Sequence, residues 1–366
     1  MRILIAQANA AAKGGAENYA DSLRRVLVDD GHAVSTIDIS GHTPSGTRPT
    51  PRSIRFPNCA LWNWAQVCRV LPKAAQSYDR VVLAYGEGPK LPIPSLTLRH
   101  SPTLFSTNTA LLGCIGARPT MARLSYIRIC ARLAGPRAQQ HETTTITNTA
   151  WTADMIARHT DFHADGVLYP KVAKQSPTVA ARRPFRILIL GRIVPNKRIE
   201  MAIEICDALR SQGFPIEVEV LGRADCRYAR RLLARLAGRA HVLLSPDADT
   251  ATRARALSQA RFGLHMFQGE HFGIAVAEMI LHGVAPLVYD DGGVCELVGD
   301  TRLRFRDHHA ATAKLAALCM RPDLVNELVR GMLQGPALRN ALNFDVNARD
   351  LTRDWLASER GCHAAQ

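Results

Sequence analysis

Phe185-Arg186-Ile187-Leu188-Ile189-Leu190-Gly191-Arg192-Ile193-Val194-Pro195-Asn196-Lys197 holds a largely apolar run that stops at a glycine, with a cation directly after it and a second five positions further on. Short, branched and bounded by turn residues, Phe185 to Leu190 reads as a strand buried on both faces. The chain beyond Lys197 repeats the pattern. Glu200 to Gln212 has helical spacing, Ile216 to Leu221 reads as a strand and Arg227 to Gly238 as a helix. His241 to Leu244 and Phe262 to Met266 read as strands, Ala275 to Leu281 as a helix, and Ala285 to Tyr289 as a strand. Strands alternating with helices predict a parallel sheet covered on both faces.

Upstream the alternation is already present. Arg2 to Ala8 reads as a buried strand. Ala16 to Asp30 carries Tyr19, Leu23, Val26 and Leu27 on one side, and Gly31 ends that helix. Val34 to Ile39, Arg80 to Ala84, Thr103 to Ser106 and Thr144 to Thr147 are the further strands expected, with a Pro/Ser/Thr/Gly-rich loop from Gly41 to Pro57. The expected class is α/β, with two Rossmann-like doubly wound domains. The expected divisions are an N-terminal domain over 1–170, a linker over 171–184, a C-terminal domain over 185–345, and a helix over 346–366 that packs back toward the N-terminal domain. A length of 366 residues suits two domains, and 47% apolar residues suffice for two cores.

The nine cysteines show no C-x-x-C pair and no zinc spacing, which points to reduced thiols and a cytoplasmic setting. Met1-Arg2 runs straight into Ile3-Leu4-Ile5-Ala6, too short for a signal core, and no segment is apolar for long enough to span a bilayer. The formal net charge of +14 favours anionic partners without naming them. Nucleic acid is not expected, because no zinc finger, RNA-binding signature or aromatic-interleaved basic run is present. Arg227, Arg230, Arg231, Arg235 and Arg239 read best as a solvated helix face, and Arg118, Arg123, Arg128, Arg132 and Arg137 as a basic segment without a common face. An anionic membrane surface is a candidate partner for such a domain, which would make the protein peripheral.

Four motifs carry chemistry. Lys13-Gly14-Gly15-Ala16-Glu17 follows the first strand, where glycines allow close backbone approach and a helix start offers N–H groups to an anion. Gly191-Arg192 and Lys197 put a planar fork and a compact charge at the end of a parallel strand, a pairing suited to a diphosphate. Glu270-His271-Phe272-Gly273-Ile274-Ala275-Val276-Ala277-Glu278 combines two carboxylates, natural acceptors for sugar hydroxyls, with a helix start suited to phosphate oxygens. Asp290-Asp291-Gly292-Gly293 marks close backbone approach or an anion-binding turn. Asp247-Ala248-Asp249 has the spacing of a metal motif, but its place before a helix makes capping the simpler role. No strand is followed by G-x-G-x-x-G, which counts against a nicotinamide-dependent oxidoreductase.

Taken together, these motifs resemble the retaining glycosyltransferases of the family 4-like (group 1) type, which have the two-domain GT-B fold. The likeness also runs through Asn148-Thr149-Ala150-Trp151-Thr152 and Tyr169-Pro170. Gly263-Leu264-His265-Met266 followed by Glu270 to Ile274 looks most like the GDP-mannose-dependent mannosyltransferases. The resemblance implies a GDP-sugar or UDP-sugar donor, a glycan, lipid-linked or small-molecule acceptor taken by the N-terminal domain, and no metal or other cofactor. It implies that Arg192 and Lys197 hold the diphosphate, with Gly191 in the same loop. Glu270 and the amides of Phe272, Gly273 and Ile274 would bind the transferred sugar and its phosphates, and Glu278 the ribose. Gly14 and Gly15 would bring backbone to the phosphates. Many members carry a histidine at the end of a central N-terminal strand. With that strand read as Thr103 to Ser106, His100 falls before it and Asn108 takes the place. Asn108 can bond a sugar hydroxyl but cannot carry a proton, so a catalytically silent sugar-nucleotide binder is the alternative.

Overall fold

A computed structural model of the chain describes residues 1–10, 14–41, 59–114, 118–173 and 182–358. It divides into two compact units, Met1–Lys171 with Asn343–Gln366, and Val172–Leu342. The division therefore falls at Lys171, and Arg182 and Arg183 already bond to Ala260 and Gln259 of the second unit. The rest of the expected linker, the loop expected at 41–57 beyond Gly41, and Lys13 lie outside the described residues.

In the first unit a six-stranded parallel sheet is built from β1 (Arg2–Ala6), β2 (Ala33–Ile37), β3 (Arg80–Leu83), β4 (Ser95–Arg99), β5 (Thr143–Thr147) and β6 (Gly166–Val167), in the order β2-β1-β3-β4-β5-β6. One face packs Ile3, Ile5, Val82, Leu96, Leu98 and Ile146 against Leu23 and Leu27 of helix Gly15–Asp29. Phe344, Ala348 and Trp355 of helix Phe344–Ala357 join the same core. The other face packs Leu4, Ala6, Val81 and Leu83 against Trp64, Cys68 and Leu71 of helix Ala60–Ala75.

The sequence reading erred at the centre of this sheet. Thr103 to Ser106 forms no strand, and the strand is Ser95–Arg99, paired with β3 on one side and β5 on the other. Both segments have similar β propensity, and two-sided pairing chose between them. The expected loss of a histidine falls with that error, because His100 immediately follows β4.

The second unit contains β7 (Arg186–Leu190), β8 (Glu217–Gly222), β9 (Val242–Pro246), β10 (Phe262–His265), β11 (Ala285–Tyr289) and β12 (Arg304–Phe305), in the order β12-β11-β10-β7-β8-β9. Chain order reverses between β7 and β10, the crevice where open α/β sheets place ligands. Every residue of β7 is buried. Arg186 on β7 is tied to the buried Glu219 of β8 at 2.7 Å, and Ser245 donates to the same carboxylate at 2.7 Å. Among the described residues no helix is long and apolar enough to cross a membrane.

Candidate functional site

The loops after β7 and β10 flank the reversal point. After β7, Gly191 turns at a φ of 142°, its N–H bonded to Leu221. A Cβ on Gly222 would strike the Gly191 carbonyl, so these strand ends approach too closely for any side chain. Arg192 is exposed, Ile193 is buried, and Pro195–Lys197 forms a single 3-10 turn. Pro195 suits the first position of that turn, and the left-handed Arg198 (φ 47°) redirects the chain into helix Ile199–Ser211. The turn aims Lys197 at the loop after β10.

That loop carries Glu270. Lys197 Nζ donates to Glu270 Oε2 at 2.6 Å, and His265 Nε2 lies 2.9 Å from the same oxygen. A carboxylate can only accept, so Nε2 carries the proton. Burial would raise the Glu270 carboxyl, but the Lys197 charge and the His265 bond outweigh it and hold the group well below the usual carboxylate range. Burial, and then the Lys197 charge, lower His265, so the imidazole is a neutral donor at pH 7. Phe267 lies under Lys197, with the ammonium 4.6 Å from the ring centre. Glu270 stays 15% exposed, so the cluster is neither sealed nor loose.

Beyond Glu270, the buried Phe272 leads to Gly273, whose φ of 89° starts helix Ile274–Leu281. The first amides of any helix lack intrahelical partners, which leaves this start suited to anion oxygens. Gly292 forms a parallel bridge with Glu270, and Val294 N–H donates to the Glu270 carbonyl at 3.2 Å. At Gly292 φ is 104° and a Cβ would meet the Glu270 backbone, so close approach explains Gly292. Glu278, in the second turn of the helix, is ion-paired to Arg253 of helix Thr250–Gln259. Asp249 caps that helix through Thr252 N–H, and Asp247 accepts from Ala224 N–H, so both carboxylates serve the backbone.

Sequence reasoning missed three members of this site. His265 was visible only as part of a resemblance, although a histidine ending a strand five positions before a glutamate was a usable signal. Arg253 carried no signal. Arg198 stands 5.8 Å over the Tyr289 ring and donates to Gln268 at 3.3 Å, contacts that only the fold creates.

In the first unit, strand ends also gather polar groups. Gly14 is the extended residue before helix Gly15–Asp29, with Asn18 N–H bonded to its carbonyl. His100 stands edge-on to Tyr19, ring centres 4.9 Å apart, and its Nε2 donates to the Ala84 carbonyl at 3.0 Å. Asn108, expected at a strand end, is instead exposed and caps helix Thr109–Cys114 by accepting from Ala110 N–H at 2.9 Å. Its expected position rested on the strand that the fold does not contain.

Residues 173–333 match the family model described as Glycosyl transferases group 1. No curated protein matches the chain. Among solved structures, sucrose-phosphate synthase from Thermosynechococcus elongatus is similar over 98% of this chain and 99% of that chain, with 13% identity and a TM-score of 0.70. WaaG, a glycosyltransferase involved in lipopolysaccharide biosynthesis, is similar over 98% and 96%, with 16% identity and a TM-score of 0.61. Anabaena HepE in complex with UDP and glucose is similar over 98% and 100%, with 15% identity and a TM-score of 0.58. Residues 173–333 thus resemble group 1 glycosyltransferase domains, and the two α/β units have the GT-B fold of these structures.

Proposed function

We propose that the chain is a retaining glycosyltransferase that moves a hexose from a nucleoside diphosphate sugar to a glycan, lipid-linked or small-molecule hydroxyl. The observation that carries this reading is the Lys197–Glu270–His265 cluster at the reversal point of a domain that matches group 1 glycosyltransferases. Glu270, held ionised, accepts hydrogen bonds from the sugar hydroxyls. Lys197 and the exposed Arg192 take the diphosphate with Gly191 and the amides of Phe272, Gly273 and Ile274. Their charge offsets the charge that grows on the leaving nucleotide, which is why the reaction is proposed to need no metal. Each charge-assisted bond contributes roughly 1.5–3 kcal/mol, so two that strengthen in the transition state change the rate by orders of magnitude. Glu278 takes the ribose hydroxyls in exchange for Arg253.

In the first unit we assign the phosphate contact to the Gly14-Gly15 helix start. The polar strand-end group assigned in this unit is His100 rather than Asn108. His100 at the end of β4 supports the active reading over a silent binder. The motif around Gly263 to Ile274 favours GDP-mannose, while HepE was solved with UDP and glucose, so both donor classes belong in the test. Thermal stability is measured with GDP-mannose, UDP-glucose and NAD. A donor at a hundred times its Kd stabilises the native state by about 2.7 kcal/mol. The expected result is a rise with one sugar nucleotide and none with NAD. A rise with NAD alone overturns the proposal.

A further inference from the structure

On β4 and β5 the sheet face opposite Leu96, Leu98 and Ile146 is polar. Ser95, Thr97 and Arg99 of β4 share it with Thr143 and Thr145 of β5, and all five are buried. Over it lies a cavity of about 420 Å³, within the first unit and lined by Glu87, Thr97, Arg99, Thr107, Arg137 and Phe162 among others. The hydroxyls of Thr97 and Thr143 bond to each other at 2.9 Å, which leaves the charged groups to meet any occupant.

Arg99 is only 5% exposed, yet among the described residues its buried Nε has no hydrogen-bond partner. Its Nη1 stops 3.9 Å from Glu87 Oε1, and Arg137 Nη1 stops 3.6 Å from Glu87 Oε2. Phe162 supports the Arg99 plane at 4.5 Å. Two guanidiniums, the buried Arg99 and the half-exposed Arg137, thus face the Glu87 carboxylate without closing on it. Asp161 lies exposed at the rim, beside the half-buried His159. Buried donors of this strength are normally satisfied, and a planar fork matches an oxyanion.

We propose that this cavity binds an oxyanion, the phosphate or carboxylate of a small hydroxylated molecule, through Arg99 with Arg137 beside it. Glu87 keeps the two guanidiniums apart and ready. Assigning that anion to the acceptor rests on the transferase reading, whereas the binding does not. Anion binding without any sugar transfer therefore separates failure of that reading from failure of this one.

The test is isothermal titration at low ionic strength with inorganic phosphate and, separately, with glucuronate. An Arg192→Ala/Lys197→Ala background removes the diphosphate cations of the second unit. The expected result is saturable binding of at least one probe, weakened tenfold or more by Arg99→Gln and by Arg137→Gln, with unchanged far-ultraviolet circular dichroism. Tighter phosphate marks a phosphorylated ligand, and tighter glucuronate a sugar acid. If Arg99→Gln fails to fold, the half-exposed Arg137 decides alone. No binding of either probe, or isotherms that Arg137→Gln leaves unchanged, overturn the proposal.

Discussion

Glu270 holds three relationships at once. Its carboxylate receives Lys197 and His265, and its carbonyl receives Val294 N–H. Removing the carboxylate by Glu270→Ala removes the sugar-hydroxyl acceptor and leaves Lys197 without its counter-charge. We expect kcat/KM to fall by about 10²-fold or more. Activity within a few fold of the parent, by product formation from the preferred donor, would show that the sugar is held elsewhere. His265 gives a second expectation. Its folded value lies below the ordinary imidazole value of about 6.5, so the unfolded chain binds the proton more readily. Stability therefore rises with pH through this window and is lost as pH falls below about 6.5. In urea denaturation, His265→Gln should lose less stability between about pH 6.5 and 5 than the parent does, with the buried His271, also lowered, keeping part of the slope. Equal slopes would sink the idea.

The loop after β10 has its shape because another loop leans on it. Gly292 touches the Glu270 backbone at a φ that L side chains rarely adopt. Gly292→Ala brings local strain of about 1–3 kcal/mol and pushes Glu270 away from Lys197. The expected outcome is a tenfold or larger loss of donor affinity by titration calorimetry, and unchanged affinity would mean the loop has slack. The same logic explains β4. Ser95-Leu96-Thr97-Leu98-Arg99 follows Pro92 and Pro94, and its alternation puts leucines toward helix Gly15–Asp29 and hydroxyls toward the polar cavity. Read alone, propensity does not separate it from Thr103 to Ser106. Paired with β3 and β5 it is the only one of the two that satisfies its backbone in the sheet.

The chain crosses between its two units twice, once near Lys171 and again near Asn343. The returning helix Phe344–Ala357 completes the first unit's core: Phe344 stacks edge-on to Tyr19 at 5.4 Å, and Trp355 is 3% exposed. Lys171 and Asp345 close the base of that return. Trp355→Ala leaves a large cavity and should destabilise the first unit by about 3–5 kcal/mol. In urea, the unfolding transition that belongs to that unit should move while the other stays. A shift below about 1 kcal/mol would mean that the helix is an appendage rather than a part of the core.

The sequence by itself determined the α/β class and most strands of both sheets, because short strand-like runs alternating with helical spacing have few other uses in a chain of this composition. The resemblance carried by its motifs also put Arg192, Lys197 and Glu270 into one hypothesis, and the fold joins Lys197 to Glu270. Only the tertiary structure decided what depends on partners distant in the chain. It chose Ser95–Arg99 over Thr103 to Ser106, and so restored His100 to a strand end. It brought His265 to Glu270, Arg253 to Glu278 and Gly292 to the Glu270 backbone, and it left the buried Nε of Arg99 without a hydrogen-bond partner among the described residues. The physical reason is common to all of these. Propensity and spacing act along the chain, whereas strand choice, close approach and the satisfaction of a buried charge are settled between segments that meet only after folding.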